Sequence, residues 1–111
     1  ARHADRAIVL GEYGGVGLPV RGHLWKPGTS LWSYQVAGSD GDYLTRYRRK
    51  MAEVIRQARE HGLSAAVYTQ TSDVEDEING LLTYDRAQSK ATPEALAAIA
   101  APLFRAASAA E

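Results

Sequence analysis

Two short apolar stretches set the limits on what this chain can fold into. They are Ala7-Ile8-Val9-Leu10-Gly11 and Leu63-Ser64-Ala65-Ala66-Val67-Tyr68-Thr69. An unbroken apolar run that avoids strict polar alternation suits a strand covered on both faces, as in a parallel sheet. Between them, residues 42–61 read as an amphipathic helix. Tyr43, Leu44, Tyr47, Met51, Val54, Ile55 and Ala58 recur at helical spacing, with Glu53, Gln57 and the arginines facing the other way. Asp40 or Asp42 is placed to cap its start and Gly62 to end it. Strand (7–11), helix (42–61) and strand (63–69) predict a right-handed parallel crossover. Thr92-Pro93 then opens a second helix, 92–109, with Leu96, Ile99, Ala100, Leu103 and Phe104 on its apolar face. Pro102 is expected to kink or shorten it, and the Ala-rich end, 106–110, to fray.

The fold class is therefore α/β, in the order βαβα. Two strands and two helices cannot close a core: each strand keeps an unpaired edge, and the apolar faces lack partners. The pattern predicts either part of a larger α/β barrel or sheet, or a unit that pairs with a second copy. The absence of an initial Met, with a strand beginning almost at once, reads the same way.

The two strands feed two long connections, 12–41 and 70–91. The first holds Gly14, Gly15, Gly17, Pro19, Gly22, Pro27, Gly28, Gly38 and Gly41, and carries His23, Trp25, Trp32 and Tyr34. A loop of this length without secondary structure is either functional or disordered. The aromatics supply anchors, so a functional loop is expected. Glu12 directly follows the first strand, and the carboxyl end of a buried parallel strand is where α/β proteins place their chemistry. A polar turn would carry such a residue too, so Glu12 alone decides nothing.

Composition removes several classes. The 13 basic and 13 acidic residues of the 111 cancel, so no global field favours nucleic acid or an anionic membrane. Arg46, Arg48, Arg49 and Lys50 fall on the helix as a solvated face. No run approaches the ~20 apolar residues of a membrane span. With no Cys there is no disulfide and no thiol catalysis, and the compartment stays open. Three widely spaced His offer no metal-ligand pattern, and nothing calls for a cofactor. Six Tyr and two Trp against one Phe favour surfaces that are half apolar and half wet, sugar sites among them.

Gly11-Glu12-Tyr13-Gly14-Gly15, Gly22-His23-Leu24-Trp25, Trp32-Ser33-Tyr34 and the block from Tyr68 through Asn79-Gly80 to Asp85-Arg86 together resemble glycoside hydrolase family 2. This is the family of β-galactosidases, β-glucuronidases and β-mannosidases. The resemblance runs from about residue 7 to the last helix and is to the final quarter of the catalytic TIM barrel, a (β/α)8 fold: strands seven and eight with their helices. It implies that Glu12 is the nucleophile of a retaining exo-β-glycosidase acting on terminal β-linked sugars through a covalent glycosyl-enzyme. Retention requires a second carboxyl ~5–5.5 Å away. The family's acid/base glutamate follows an Asn on the fourth strand, and this chain has no Asn-Glu pair. The partners implied are a carbohydrate substrate and the rest of the parent barrel or a second copy, and the isolated chain is expected to be inactive.

Other residues carry two readings each. Tyr13 orients the carboxylate or packs under the loop. His23 binds a sugar hydroxyl or caps the loop. Trp25, Trp32 and Tyr34 stack on a pyranose or anchor the loop. Tyr68 and Gln70 stand at the end of the second strand, with Gln70 a donor to a sugar hydroxyl. Adjacent parallel strands lie ~4.8 Å apart, so Asp73 and Glu75 are placed to come near Glu12, as sugar-binding or loop-ordering groups. Asn79-Gly80 fits a tight turn, and Asp85 and Arg86 either pair with each other or hold the loop. The rival to hydrolysis is a non-catalytic carbohydrate-binding or assembly module derived from the same barrel.

Overall fold

A 22-residue helix organises the chain. In the computed structural model, which describes residues 5–108, the elements run β1 (Ile8–Gly14), β2 (Val16–Gly17), β3 (Gln35–Val36), α1 (Asp40–His61), β4 (Leu63–Thr69) and α2 (Pro93–Ser108). α1 begins two residues earlier than its apolar stripe suggests, because its cap is Ser39 rather than Asp40 or Asp42. Extended Ser39 (φ −162°, ψ 168°) accepts the Asp42 amide at 3.1 Å, and the Asp42 carboxylate accepts the Gly38 amide at 2.9 Å. Both acids sit in the first turn, where the helix dipole favours them. At the other end Gly62 takes the left-handed conformation (φ 72°) and its amide reaches the Gln57 carbonyl. Tyr43, Tyr47, Met51 and Val54 form the buried stripe, and Arg56 bridges Glu53 and Glu60 on the solvent side.

β1 and β4 pair in parallel as a two-stranded sheet, so the chain is a small α/β domain with parallel strands and two helices. Leu10 pairs with Ala66 and Tyr13 with Tyr68, which leaves Gly11 and Glu12 opposite Val67 alone. This is a β-bulge, and β1 continues past it to Gly14, three residues beyond the apolar run. Tyr13 and Tyr68 pack edge to face at 5.2 Å, and Tyr68 packs on Tyr47 of α1 at 5.5 Å. Gly14 (φ 116°) must be glycine, since a Cβ there would lie 2.7 Å from the Thr69 carbonyl and 2.9 Å from the Tyr68 ring.

The apolar run does not end up buried. Val9 is 56% exposed and Val67 55%, with Ile8 and Leu10 also exposed, and among the described residues no third strand flanks either edge. The core sits instead at the carboxyl end of the sheet, beneath the two long connections. Val16, Leu18, Ala37 and Tyr43 form it, with Ala91 packed against them. The first connection is not free of secondary structure: β2 and β3 pair in parallel within it. The second is tied to the first by Ile78 donating to the Trp32 carbonyl (2.9 Å), Trp32 to that of Asp76 (2.8 Å) and Leu18 to that of Ile78 (3.1 Å).

A buried ion pair closes the second connection. Asp73 and Lys90 are each 5% exposed and meet at 2.6 Å. Lys90 Nζ also donates to the Ile78 carbonyl (2.6 Å), and Asp73 accepts the Gly80 amide (2.8 Å). The tight turn lies at Glu75 (φ 52°) and Asp76, where Val74 and Glu77 exchange backbone hydrogen bonds. It does not lie at Asn79-Gly80, where Asn79 is fully buried and Gly80 is pressed against backbone. A Cβ on Gly80 would stand 2.3 Å from the Ser72 carbonyl carbon and the Asp73 nitrogen. Gly80→Ala should therefore lower the urea midpoint sharply, whereas Gly38→Ala, with open space at its Cβ, should leave it nearly unchanged.

α2 is capped by Thr92, whose hydroxyl accepts the Ala95 amide at 3.2 Å, and it packs on α1. It continues through Pro102 to Ser108, so the proline does not shorten it. Phe104 is largely exposed. Residues 109 and 110, part of the stretch expected to fray, and the predicted helix end at 109 lie outside the described residues.

Candidate active site

The bulge sets the position of Glu12. An extra residue in one strand re-aims the side chains beside it, a device common next to active sites. Glu12 is exposed, and among the described residues its carboxylate has no hydrogen-bond or ion-pair partner. It lines an open cleft of about 280 Å³ with Tyr13, Gly14, Tyr34 and Thr69. That volume is at the lower limit for a ligand pocket.

The first connection brings Tyr34 to this cleft, with Trp32 packed against it. Tyr34 is 66% exposed, its ring lies against the Gly15 backbone, and it meets half-exposed Trp32 at 4.8 Å. The Ser33 hydroxyl donates to the Gly15 carbonyl at 3.0 Å and so fixes the segment between the two rings. Tyr13 borders the cleft, but its ring packs on Tyr68, and burial, then Tyr47, raises its pKa. Tyr68 belongs to the tyrosine layer over α1. Its buried hydroxyl lies near that of Tyr43 without a well-formed hydrogen bond, and burial pushes its pKa up to about 12.

The second connection contributes Gln70, which follows Thr69 through a cis peptide. Its Nε2 donates to Asn79 Oδ1 at 2.7 Å, and Asn79 Nδ2 donates to Glu77 Oε1 at 3.1 Å. The Gln70 backbone carbonyl accepts the Leu81 amide at 2.9 Å, and among the described residues no hydrogen bond engages its side-chain Oε1. Asp73 is not brought to Glu12, because its carboxyl is enclosed with Lys90. Burial pushes the Asp73 carboxyl up and the Lys90 ammonium down, and each one's proximity opposes the shift of the other. Glu75 is exposed on the tight turn. Neither acid lines the cleft, so among the described residues Glu12 has no second carboxylate beside it.

His23 and Trp25 form a separate group. His23 Nδ1 lies 2.7 Å from Asp85 Oδ2, and the Trp25 ring meets Tyr84 edge to face at 5.4 Å. Asp85 therefore pairs with His23 and not with Arg86. Its carboxyl is lowered to about 2, chiefly by the Thr83 hydroxyl, then by His23 and the Ala87 amide. A depressed folded pKa gives a contribution present above the ordinary value of 3.8 and lost as pH falls through about 2. The link between the two connections should thus persist through mild acid. Acid titration of the Asp85 carboxyl carbon by NMR checks this.

The residue pattern does not single out Lys90 or Thr69, and it reads Asn79 only as part of a turn. Lys90 sits in an ordinary polar stretch, and only the fold shows that it answers Asp73. Neither the protein-family models nor the curated proteins give a match to this chain. The functional reading rests on the sequence and on the geometry above.

Proposed function

We propose that this chain is the carboxyl-terminal part of a family 2-like glycoside hydrolase barrel, with Glu12 as the nucleophile of a retaining exo-β-glycosidase. One observation carries the reading: an exposed, unpartnered carboxylate stands at the carboxyl end of a parallel strand pair, set off by a bulge and facing an aromatic wall. Such a group is free to attack an anomeric carbon with inversion as the aglycone oxygen departs, and water then inverts the resulting α-glycosyl ester again to release the β-sugar. Tyr34, backed by Trp32, supplies an apolar wall beside Glu12 for a pyranose.

Protonation of the leaving oxygen needs a second carboxyl, and the described residues place none beside Glu12. The exposed edges of β1 and β4 mark where the rest of the barrel, or a second copy, would join. The chain alone should therefore give no turnover of a nitrophenyl β-galactoside or β-glucuronide, whereas the barrel completed by its remaining strands should. Activity of the isolated chain equal to that of the completed barrel would overturn the reading. The exposed aromatics also suit binding without hydrolysis. A completed barrel that binds the glycoside but never cleaves it would favour that alternative.

A further inference from the structure

We propose that His23, Asp85, Trp25 and Tyr84 form a second carbohydrate-contacting point, built from residues other than those around Glu12. None of the four lines the Glu12 cleft. Two rungs connect the first and second connections: His23 to Asp85 (2.7 Å) and Trp25 to Tyr84 (5.4 Å, 87° between rings). They follow one another in sequence, since Trp25 lies two residues after His23 and Tyr84 directly precedes Asp85. A polar pair and an aromatic pair are thus held side by side.

The polar pair is preset. Asp85 accepts from Thr83 Oγ1 at 2.5 Å and from the Ala87 amide at 3.0 Å, so its carboxylate cannot rotate away from His23. An ionised carboxylate only accepts, so His23 Nδ1 carries the proton that it receives. Nε2 stands at the ring's other edge, a lone-pair acceptor in this tautomer, and among the described residues nothing occupies it. The His23 side chain is about one-quarter exposed, so a ligand can reach it. Tyr84 meets Trp25 edge to face and holds the indole upright, while Trp25 stays half exposed. One hydroxyl-seeking acceptor beside a fixed apolar wall fits a ligand with hydroxyls on its rim and C–H bonds on its face. A pyranoside has that form.

The proposal shares its substrate class with the reading above but does not depend on a catalytic role for Glu12. The test follows the two tryptophan indole N–H signals and the His23 Cε1–H signal of the full chain by NMR during titration with methyl β-D-galactopyranoside and methyl β-D-glucopyranoside. Trp25→Phe assigns the indoles. The expected result is a saturable shift at Trp25 and His23, unchanged in Glu12→Gln. In Trp25→Ala, which leaves the His23–Asp85 pair intact, binding read at His23 should weaken about tenfold or more. His23→Ala should do the same at Trp25. If that variant loses signal dispersion, Trp25→Ala decides alone. Shifts confined to Trp32, no saturable shift at Trp25, or a His23 response unaltered in Trp25→Ala would each overturn the proposal. Hydrolysis by the completed barrel is read separately, so failure of either idea is visible without the other.

Discussion

Lys90→Met should lower the folding stability of the chain by about 3–5 kcal/mol, because it strands a buried carboxylate. Asp73 and Lys90 are almost wholly enclosed, and among the described residues the Asp73 carboxylate keeps the Gly80 amide alone once Lys90 is gone. The Ile78 carbonyl also loses the donor at 2.6 Å. Both losses fall on the second connection, which supplies Gln70, Asn79 and Ile78 to the site and the core. Denaturation in urea followed by far-ultraviolet circular dichroism measures the effect. The double variant Asp73→Leu/Lys90→Met should recover much of the loss, since an apolar pair costs less than a lone buried charge. Arg56→Ala sets the contrast. Its pairs with Glu53 and Glu60 are in solvent, so little should change.

Glu12→Gln should reduce turnover of an aryl β-glycoside by the completed barrel on the order of a thousandfold or more. The amide keeps the size of the side chain but cannot attack the anomeric carbon. Folding should be unaffected, because the carboxylate has no partner among the described residues to lose. The cause is thus separable from destabilisation by the unfolding midpoint alone. Glu12→Ala leaves room at the bulge for a small external nucleophile. Azide should restore cleavage and leave an α-glycosyl azide, opposite in configuration to the substrate.

The helices and the strand pairing were legible because each rests on short-range chemistry. The Tyr43, Tyr47, Met51 and Val54 stripe repeats within one element, and Gly62 ends it through its own backbone. Glu12 was legible as a candidate for a similar reason: its place follows from where an apolar run stops. Its bulge was not, since register depends on how Val67 faces two residues at once. The fate of Asp73 and Asp85 was hidden as well. Their partners, Lys90 and His23, lie 17 and 62 residues away and are chosen by how the connections cross. The apolar run at 7–10 reads as buried, yet among the described residues β1 pairs with β4 alone and Ile8, Val9 and Leu10 stay exposed, an outcome that depends on tertiary neighbours and not on the run itself.

The most direct test is to trap the covalent intermediate. The completed barrel is incubated with a 2-deoxy-2-fluoro-β-glycosyl fluoride, digested, and the labelled peptide sequenced by mass spectrometry. The account predicts one glycosyl group on Glu12, in the peptide that spans Gly11 and Tyr13. A label on any other carboxylate, with Glu12 unmodified, would contradict it.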